Sequence, residues 1–251
     1  MVSPIVEGAE PFSASNGQDG VLVLHGFTGS PRSMRPLAEA FADAGYCVEL
    51  PLLPGHGTSI EDMLDTTFAD WSRAANEAFQ SLAARCNRVM VAGLSMGGTL
   101  SLWLAERHPE VAGLVLVNPL VEQAAESFYE MLHGILDAGL DRSPGVGEDI
   151  ALEGVREGAY EATPVVPLLS LMDAAGEVAA ALGVISCPVL LLSSRADHVL
   201  PSSNGDLVVE HVSGPVERVW LERSYHVATL DHDQAEIEQR AVEFASKVFS
   251  S

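Results

Sequence analysis

A serine near the middle of the chain lies between two glycines, in the run Gly93-Leu94-Ser95-Met96-Gly97. This G-x-S-x-G frame sets a serine on a strained turn between a strand and a helix, where its hydroxyl rises above the edge of a sheet. Residues 88–94 form an apolar run typical of a buried strand, and residues 96–108 have a helical pattern. An ordinary glycine-rich turn is the alternative, but it would not require this flanking order. We therefore predict that Ser95 is a nucleophile that attacks a carbonyl carbon.

A neutral serine needs a base within hydrogen-bond reach, and the base needs a third group that orients it. In chains with this strand–turn–helix frame, an acid and then a histidine follow the serine, each in a loop after a strand. Asp197 follows the apolar run of residues 189–193, and His226 follows the run of residues 216–221. We predict that His226 is the base and that Asp197 orients it.

Three other histidines and one aspartate in this half of the chain are weaker candidates. His198 is adjacent to Asp197, and neighbouring side chains on an extended segment diverge, so His198 can hardly be oriented by Asp197 and also face the serine. His211 is predicted on a helix before the last strand, and His232 at the start of the final helix, both in solvent. Asp206 is predicted to be a surface charge.

Attack on a carbonyl creates an oxyanion, which requires preorganised N–H donors. The Met96 N–H is predicted to be one donor, because it lies at the positive end of the helix that begins there. The second is expected from the loop after the first predicted strand, His25-Gly26-Phe27-Thr28-Gly29, where glycines let the backbone approach a substrate. We predict the Phe27 N–H as this donor and a bracing role for His25.

Short apolar runs alternate with helical patterns, which is typical of a mostly parallel sheet covered by helices. The predicted strands are residues 21–24, 46–50, 88–94, 111–118, 189–193 and 216–221. Because Pro36 would break a helix capped at Ser30, the first helix is predicted to be capped at Ser33. Between residues 120 and 186 the strand signals vanish over a stretch too long for a simple connection. We predict a core of residues 1–119 and 187–251 with a small helical cap inserted at residues 120–186.

The composition excludes several classes of function. The chain has 251 residues, of which 13 are basic and 35 acidic, and 47% are hydrophobic. Its formal charge of −22 repels phosphate backbones and anionic lipid surfaces, so we expect no nucleic-acid partner. The three widely spaced cysteines argue against a disulfide framework and a zinc site. Neither a leader pattern nor a run of 18 apolar residues occurs, so we expect a soluble cytoplasmic protein without stable membrane insertion.

Several longer sequence words carry a family resemblance. They are His25-Gly26-Phe27-Thr28-Gly29, Gly55-His56-Gly57, Gly93-Leu94-Ser95-Met96-Gly97-Gly98, Arg195-Ala196-Asp197-His198 and Ser224-Tyr225-His226-Val227-Ala228-Thr229-Leu230-Asp231. With these words the chain resembles bacterial monoacylglycerol lipases of the α/β-hydrolase fold, which are relatives of small carboxylesterases. The resemblance implies a Ser95, Asp197 and His226 triad, with Phe27 and Met96 as the oxyanion hole.

The same resemblance implies cleavage of a small lipid substrate, a monoacylglycerol, to glycerol and fatty acid without a metal or organic cofactor. In that family a cap glutamate contacts the glycerol hydroxyls, and the matching position is Glu157. A general carboxylesterase for short acyl chains is the alternative, and a non-catalytic binding protein of the same fold is a distant one. Apolar residues at helical spacing in the cap are expected either to line an acyl channel or to be ordinary packing: Phe128, Met131, Leu132, Ile135 and Leu136.

Overall fold

A seven-stranded sheet lies at the centre of the computed structural model, which describes residues 3–145 and 148–250. The strands in these residues are β1 (Phe12–Ser15), β2 (Gly20–Leu24), β3 (Cys47–Leu50), β4 (Val89–Leu94), β5 (Val111–Val117), β6 (Arg142–Pro144), β7 (Ala162–Pro164), β8 (Val189–Ser194) and β9 (Val216–Leu221). The helices are α1 (Arg35–Asp43), α2 (Ile60–Met63), α3 (Phe68–Ala83), α4 (Met96–Arg107), α5 (Glu126–Asp137), α6 (Val165–Ala181), α7 (Ser203–His211) and α8 (Gln234–Ser250).

The strand order of the sheet is β1-β3-β2-β4-β5-β8-β9. All neighbours run parallel except β1, which pairs antiparallel with β3. Parallel strands that are buried on both faces have continuous apolar runs, and every residue of β2, β4 and β8 is buried. All six predicted strands agree with the structure to within one residue. The predicted mostly parallel sheet flanked by helices is confirmed.

Helices pack on both faces of this sheet. One face is covered by α1 and α8, and the other by α3, α4 and α6. The largest fully buried side chains include Trp71 of α3, Phe41 of α1 and Phe79 of α3. Burial of each such side chain contributes about 1.5–3 kcal/mol relative to exposure. The packed sheet therefore holds the loops at its carboxyl edge in fixed relative positions.

The start of the first helix differs from the prediction. Ser33 is not its cap: α1 begins at Arg35 with Met34 as the N-cap, and a 3₁₀ turn over Pro31–Met34 precedes it. Ser30 caps this turn by accepting the Arg32 N–H, while the Ser33 hydroxyl donates to the Ser30 carbonyl. Pro36 nevertheless lies in the first turn of α1, as predicted, where a missing N–H costs nothing.

The segment between β5 and β8 contains α5, β6, β7 and α6. Since β5 and β8 are neighbours in the sheet, the segment leaves after one strand and returns at the next. Two helices fit the expectation of a helical insertion, but the antiparallel pair of β6 and β7 was not predicted. Each of these strands has three residues and pairs with a distant partner, which leaves no periodic signal in the sequence.

One helical stretch, Val165–Val184, is long and apolar enough to cross a membrane by length and composition. Its mean hydropathy is 1.6, but Asp173 and Glu177 interrupt it, so it contains no run of 18 consecutive apolar residues, which was the criterion applied to the sequence. In this fold 44% of the window is buried, and α6 packs on α3, α4 and α5. Core helices pass the same test, so these properties do not assign the helix to a membrane.

Candidate active site

Ser95 lies at the sharp turn between β4 and α4. Its backbone has φ +54° and ψ −116°, a strained conformation for a residue with a side chain. Two glycines make the turn possible: a Cβ on Gly93 would lie 2.1 Å from the Gly97 carbonyl oxygen, and a Cβ on Gly97 would lie 2.1 Å from the Leu24 carbonyl oxygen. The strand, turn and helix predicted around Ser95 are therefore all present.

Asp197 and His226 meet from two different loops. Asp197 follows β8, His226 follows β9, and the His226 Nδ1 lies 2.7 Å from an Asp197 carboxylate oxygen. The other oxygen of Asp197 accepts the N–H groups of Val199 and Leu200, both at 2.8 Å. With Nδ1 donating to the carboxylate, Nε2 carries the lone pair that a base needs. The arrangement orients the imidazole and leaves one nitrogen free to take a proton.

A cavity of about 480 Å³ brings Ser95 and His226 to one surface. Phe27 and Glu157 also line it, so four of the six predicted site residues border the same space. Most of the remaining wall is apolar and includes Phe128, Leu168, Leu171, Met172, Val199 and Leu200. A space of this size with a few convergent polar groups suits a small, largely apolar ligand.

The apolar residues of α5 divide between the two expected roles. Phe128 lines the cavity, whereas Leu132 is packed in the interior with 1% exposure. Met131 is half exposed and is not part of the cavity wall. Of the five, only Phe128 borders this cavity among the residues that the structure describes.

The loop of residues 25–29 is braced beside Ser95. A Cβ on Gly26 would lie 3.6 Å from the Ser95 Cβ, an ordinary van der Waals contact, so the loop passes beside the serine side chain. The Leu53 N–H donates to His25 Nε2 at 3.2 Å, which requires Nδ1 to carry the proton that faces the Gly26 carbonyl at 3.0 Å. Burial lowers the pKa of His25 to about 4, so this imidazole is neutral. These contacts fit the bracing role expected for His25.

The two predicted oxyanion donors, the N–H groups of Met96 and Phe27, belong to the start of α4 and to the braced loop. Met96 is the first residue of α4, so its N–H has no acceptor within the helix. Phe27 is at the cavity wall, and its ring packs edge-on against Trp71 with ring centroids 5.6 Å apart. The positive end of α4 therefore begins directly after Ser95, and the braced loop reaches the cavity wall at Phe27.

Glu157 is a buried carboxylic acid in the cavity wall, with 7% exposure. Burial raises the pKa of Glu157 to about 7, while the proximity of His226 and of the Ser33 hydroxyl counteracts part of that rise. Gly29 makes room for it, because a Cβ there would lie 2.3 Å from a Glu157 carboxyl oxygen. A carboxyl group in this position can exchange hydrogen bonds with hydroxyl groups of a ligand.

The weaker candidates lie elsewhere. The His198 imidazole pairs with Asp149 at 2.8 Å rather than facing the cavity. His211 and His232 are exposed, and Asp206 forms an exposed ion pair with an arginine of β9. Within residues 3–145 and 148–250, no cluster of His, Cys, Asp or Glu is arranged to hold a metal ion.

Two residues that support the site were not found from the sequence. Asn118 has φ +42°, accepts the Ser194 N–H at 2.8 Å and donates to the His226 carbonyl at 2.8 Å. Asp149 accepts the N–H groups of His198 and His226, both at 3.0 Å. The position of Asn118 after a buried strand was the available signal for the first; nothing local marks Asp149.

The fold and this serine-centred pocket define a class of protein. The chain belongs to the Alpha/beta hydrolase family, whose match extends over residues 21–240. Over 245 residues it is 48% identical to a thermostable monoacylglycerol lipase of a Bacillus species, covering 97% of both chains. It is also 28% identical to a carboxylesterase of Bacillus subtilis, covering 95% of this chain and 97% of the relative.

Solved structures agree with this assignment. A metagenome-derived lipolytic enzyme superposes with a TM-score of 0.93 at 42% identity, covering 97% of this chain and 100% of that chain. A monoacylglycerol lipase of Paleococcus ferrophilus has a TM-score of 0.74 at 18% identity, covering 95% of this chain and 98% of that chain. The second similarity concerns the fold alone.

Proposed function

We propose that this chain is a serine ester hydrolase that cleaves monoacylglycerols to glycerol and free fatty acid. The observation that carries the proposal is the 2.7 Å contact between His226 and Asp197 beside a cavity that His226 shares with Ser95. The 48% identity to a protein named a thermostable monoacylglycerol lipase supports the choice of substrate.

The first half of the reaction forms an acyl-enzyme. His226 Nε2 takes the proton of the Ser95 hydroxyl as that oxygen bonds to the ester carbonyl carbon. The resulting oxyanion accepts hydrogen bonds from the Phe27 and Met96 N–H groups, each worth about 2.7–4 kcal/mol by comparison with such donors elsewhere. The carbon–oxygen bond to glycerol then breaks, and the imidazolium returns its proton to the leaving glycerol oxygen. Asp197 stabilises the imidazolium and holds its tautomer.

The second half releases the fatty acid. Water gives a proton to His226 as its oxygen attacks the acyl carbon, and the bond to Ser95 breaks as the serine oxygen takes that proton back. The fatty acid leaves, and Ser95 and His226 regain their starting protonation. These steps use only this chain and water.

Glu157 is proposed to select the glycerol head group. Glycerol in a monoacylglycerol carries two free hydroxyls, which a buried carboxyl can bind, whereas a simple alkyl ester would leave that carboxyl unpaired. Such a mismatch is costly and gives selectivity. The apolar wall formed by α5 and α6 would hold the acyl chain.

Residues 120–186 are proposed to form a cap over the core of residues 1–119 and 187–251. This assignment is supported by the contributions of α5 and α6 to the cavity wall, which lies above the carboxyl edge of the sheet. A cytoplasmic location and a free lipid substrate, rather than stable insertion in a bilayer, complete the proposal.

A fluorophosphonate probe tests the catalytic chemistry. The unaltered protein should be labelled at one residue, Ser95, with a matching loss of ester hydrolysis. Ser95→Ala should abolish labelling and turnover while circular dichroism shows the same fold. Labelling of another residue, or turnover that survives in Ser95→Ala, would refute the proposed role of the serine.

A pair of esters tests the substrate. A 1-monoacylglycerol and the methyl ester of the same fatty acid are compared in the unaltered protein and in Glu157→Ala. We expect kcat/KM to fall on the glycerol ester but not on the methyl ester. Glu153→Ala removes an exposed glutamate of the same segment and should leave both values unchanged. Equal losses on the two esters would favour the general carboxylesterase instead.

A further inference from the structure

Asp149 connects the loop that carries Asp197 to the loop that carries His226. One oxygen of its carboxylate accepts the backbone N–H groups of both His198 and His226, each at 3.0 Å. His198 directly follows Asp197, so this single oxygen binds one backbone position on each loop. The other oxygen lies 2.8 Å from the His198 imidazole.

The backbone of His226 is held from both sides. Its N–H donates to the Asp149 carboxylate at 3.0 Å, and its carbonyl accepts the Asn118 amide at 2.8 Å. The Asp149 carbonyl also accepts the Val227 N–H at 3.1 Å. Asn118 follows the carboxyl end of β5, whereas Asp149 belongs to the segment between β5 and β8. The base is thus fixed between the sheet and that segment.

A second carboxylate, that of Asp231, also connects the segment around Asp149 to the loop that carries His226. Asp231, three residues before α8 begins, accepts the N–H groups of Ala151 at 2.7 Å and Leu152 at 2.9 Å. It also accepts the Tyr225 N–H at 2.9 Å. Residues 149–152 and the loop that carries His226 therefore form one hydrogen-bonded unit.

We propose that Asp149 is a positioning residue for His226, which it holds at the correct distance from Asp197 and Ser95 through its two backbone hydrogen bonds. The inference rests on the proposed function, since it assigns His226 as the base. The Asp197 contact fixes the imidazole only at Nδ1, so the ring can still be displaced as the loop moves. A misplacement of about 1 Å in a reacting group can cost about 10²-fold in rate.

The test compares Asp149→Ala with Asp149→Asn. Alanine removes both acceptors, whereas the asparagine carbonyl can still accept the two backbone N–H groups while its amide faces the His198 imidazole. We expect Asp149→Ala to lower kcat by about 10- to 100-fold with KM within about threefold, and Asp149→Asn to retain kcat within about threefold. The rate of Ser95 labelling by a small fluorophosphonate should fall in parallel with kcat.

His198→Ala is the matched control. It removes the imidazole that contacts Asp149 but keeps the backbone N–H of residue 198, so kcat should stay within about threefold of the unaltered protein. A loss in His198→Ala as large as that in Asp149→Ala would overturn the proposal. So would a rise in KM alone, or equal losses in Asp149→Ala and Asp149→Asn.

A measurement on the unaltered protein covers the case in which Asp149→Ala does not fold. The amide hydrogens of His198 and His226 should exchange slowly with solvent, since both are bonded to Asp149. Exchange at the rate of a free loop would overturn the inference. If the unaltered protein is not labelled at Ser95, the proposed function itself fails; if it is labelled and Asp149→Ala is labelled equally fast, only the positioning role fails.

Discussion

Glu157 holds its carboxyl group in a wall of the cavity where water cannot fully solvate a negative charge. Burial raises its pKa in the folded protein to about 7, from a usual value of 4.5. The folded protein therefore binds this proton more tightly than the unfolded chain does. The resulting stabilisation is fully present below about pH 4.5 and is lost as pH rises through about 7.

Glu157→Gln isolates this effect, because the amide does not titrate. Between pH 5 and pH 8 the free energy of unfolding of the unaltered protein should fall relative to Glu157→Gln by something on the order of 3 kcal/mol. Urea unfolding at the two pH values gives the difference. Glu153→Gln, at an exposed position of the same segment, should follow the unaltered protein. Parallel pH curves for the protein and Glu157→Gln would contradict the burial argument.

Asp197 sets the tautomer of His226, and an asparagine at this position tests that role. In Asp197→Asn the amide oxygen can keep the Val199 and Leu200 N–H groups, which leaves the NH₂ group facing His226 Nδ1. That contact favours the tautomer with the proton on Nε2, which cannot act as a base. We expect kcat to fall on the order of 10⁴-fold with the fold unchanged. Steady-state kinetics check it, and a loss below about tenfold would mean that another group orients the imidazole.

Individual residues differ in how far the sequence reveals them. Ser95, Asp197 and His226 follow strand ends in a fixed order, so a local pattern indicates each candidate. Asp149 has no such pattern, because its partners lie 49 and 77 positions away and the bonds use backbone N–H groups. Contacts to main-chain atoms carry no side-chain signal, which is why this residue emerges only from the structure.

At the scale of elements, the approach of α4 to β2 depends on Gly97. A Cβ there would lie 2.1 Å from the Leu24 carbonyl oxygen and 2.9 Å from the His25 carbonyl oxygen. Both are backbone atoms of the sheet and the braced loop, so the helix would have to move. Gly97→Ala should destabilise the protein by about 1–3 kcal/mol or more and slow the labelling of Ser95.

Gly134→Ala is the control with the same chemical change. Gly134 lies inside α5, and a Cβ there would meet nothing within 4 Å. Alanine is the better helix former by about 1 kcal/mol, so this variant should be slightly more stable. Thermal unfolding of both variants measures the contrast. Similar shifts of the two melting temperatures would show that α4 and β2 have more room than the structure indicates.

The sequence predicts elements best where burial is complete. Strands β2, β4, β5 and β8 are buried over almost all of their residues and have long apolar runs. The edge strand β9 is only partly buried and was still predicted. The edge strand β1 has four residues with alternating exposure, and its paired residues in β3 lie 32 to 38 positions along the chain, so it was not predicted. The Ser33 cap was wrong because a 3₁₀ turn before α1 satisfies the same backbone groups, and propensity does not distinguish the two starts.

At the scale of the whole molecule, the site is assembled from distant parts of the chain. The sheet order places the ends of β2, β4, β8 and β9 along one edge, where their loops carry the candidate groups. The segment between β5 and β8 adds Asp149 and Glu157 from above. A parallel sheet brings such loops together whatever their separation in sequence, which is why the order of motifs was enough to predict their meeting.

The formal charge of −22 acts on the folded state as a whole. With 13 basic and 35 acidic residues, most carboxylates have no cationic partner, and exposed ion pairs contribute only about 0–1 kcal/mol each. Repulsion among the carboxylates therefore outweighs the pairs, and it is stronger in the compact protein than in the expanded chain.

Added salt screens the repulsion among the carboxylates and should consequently stabilise the protein. Between about 10 mM and 100 mM NaCl the Debye length falls from about 30 to about 10 Å, so we expect Tm to rise by about 2–4 °C, equivalent to about 1 kcal/mol. Replacing the exposed Glu130, Glu153 and Glu210 with glutamine should raise Tm at low salt and reduce the response. Sucrose at equal osmolality controls for non-ionic effects. A Tm that falls with salt would mean that the ion pairs, rather than the repulsion, dominate the surface electrostatics.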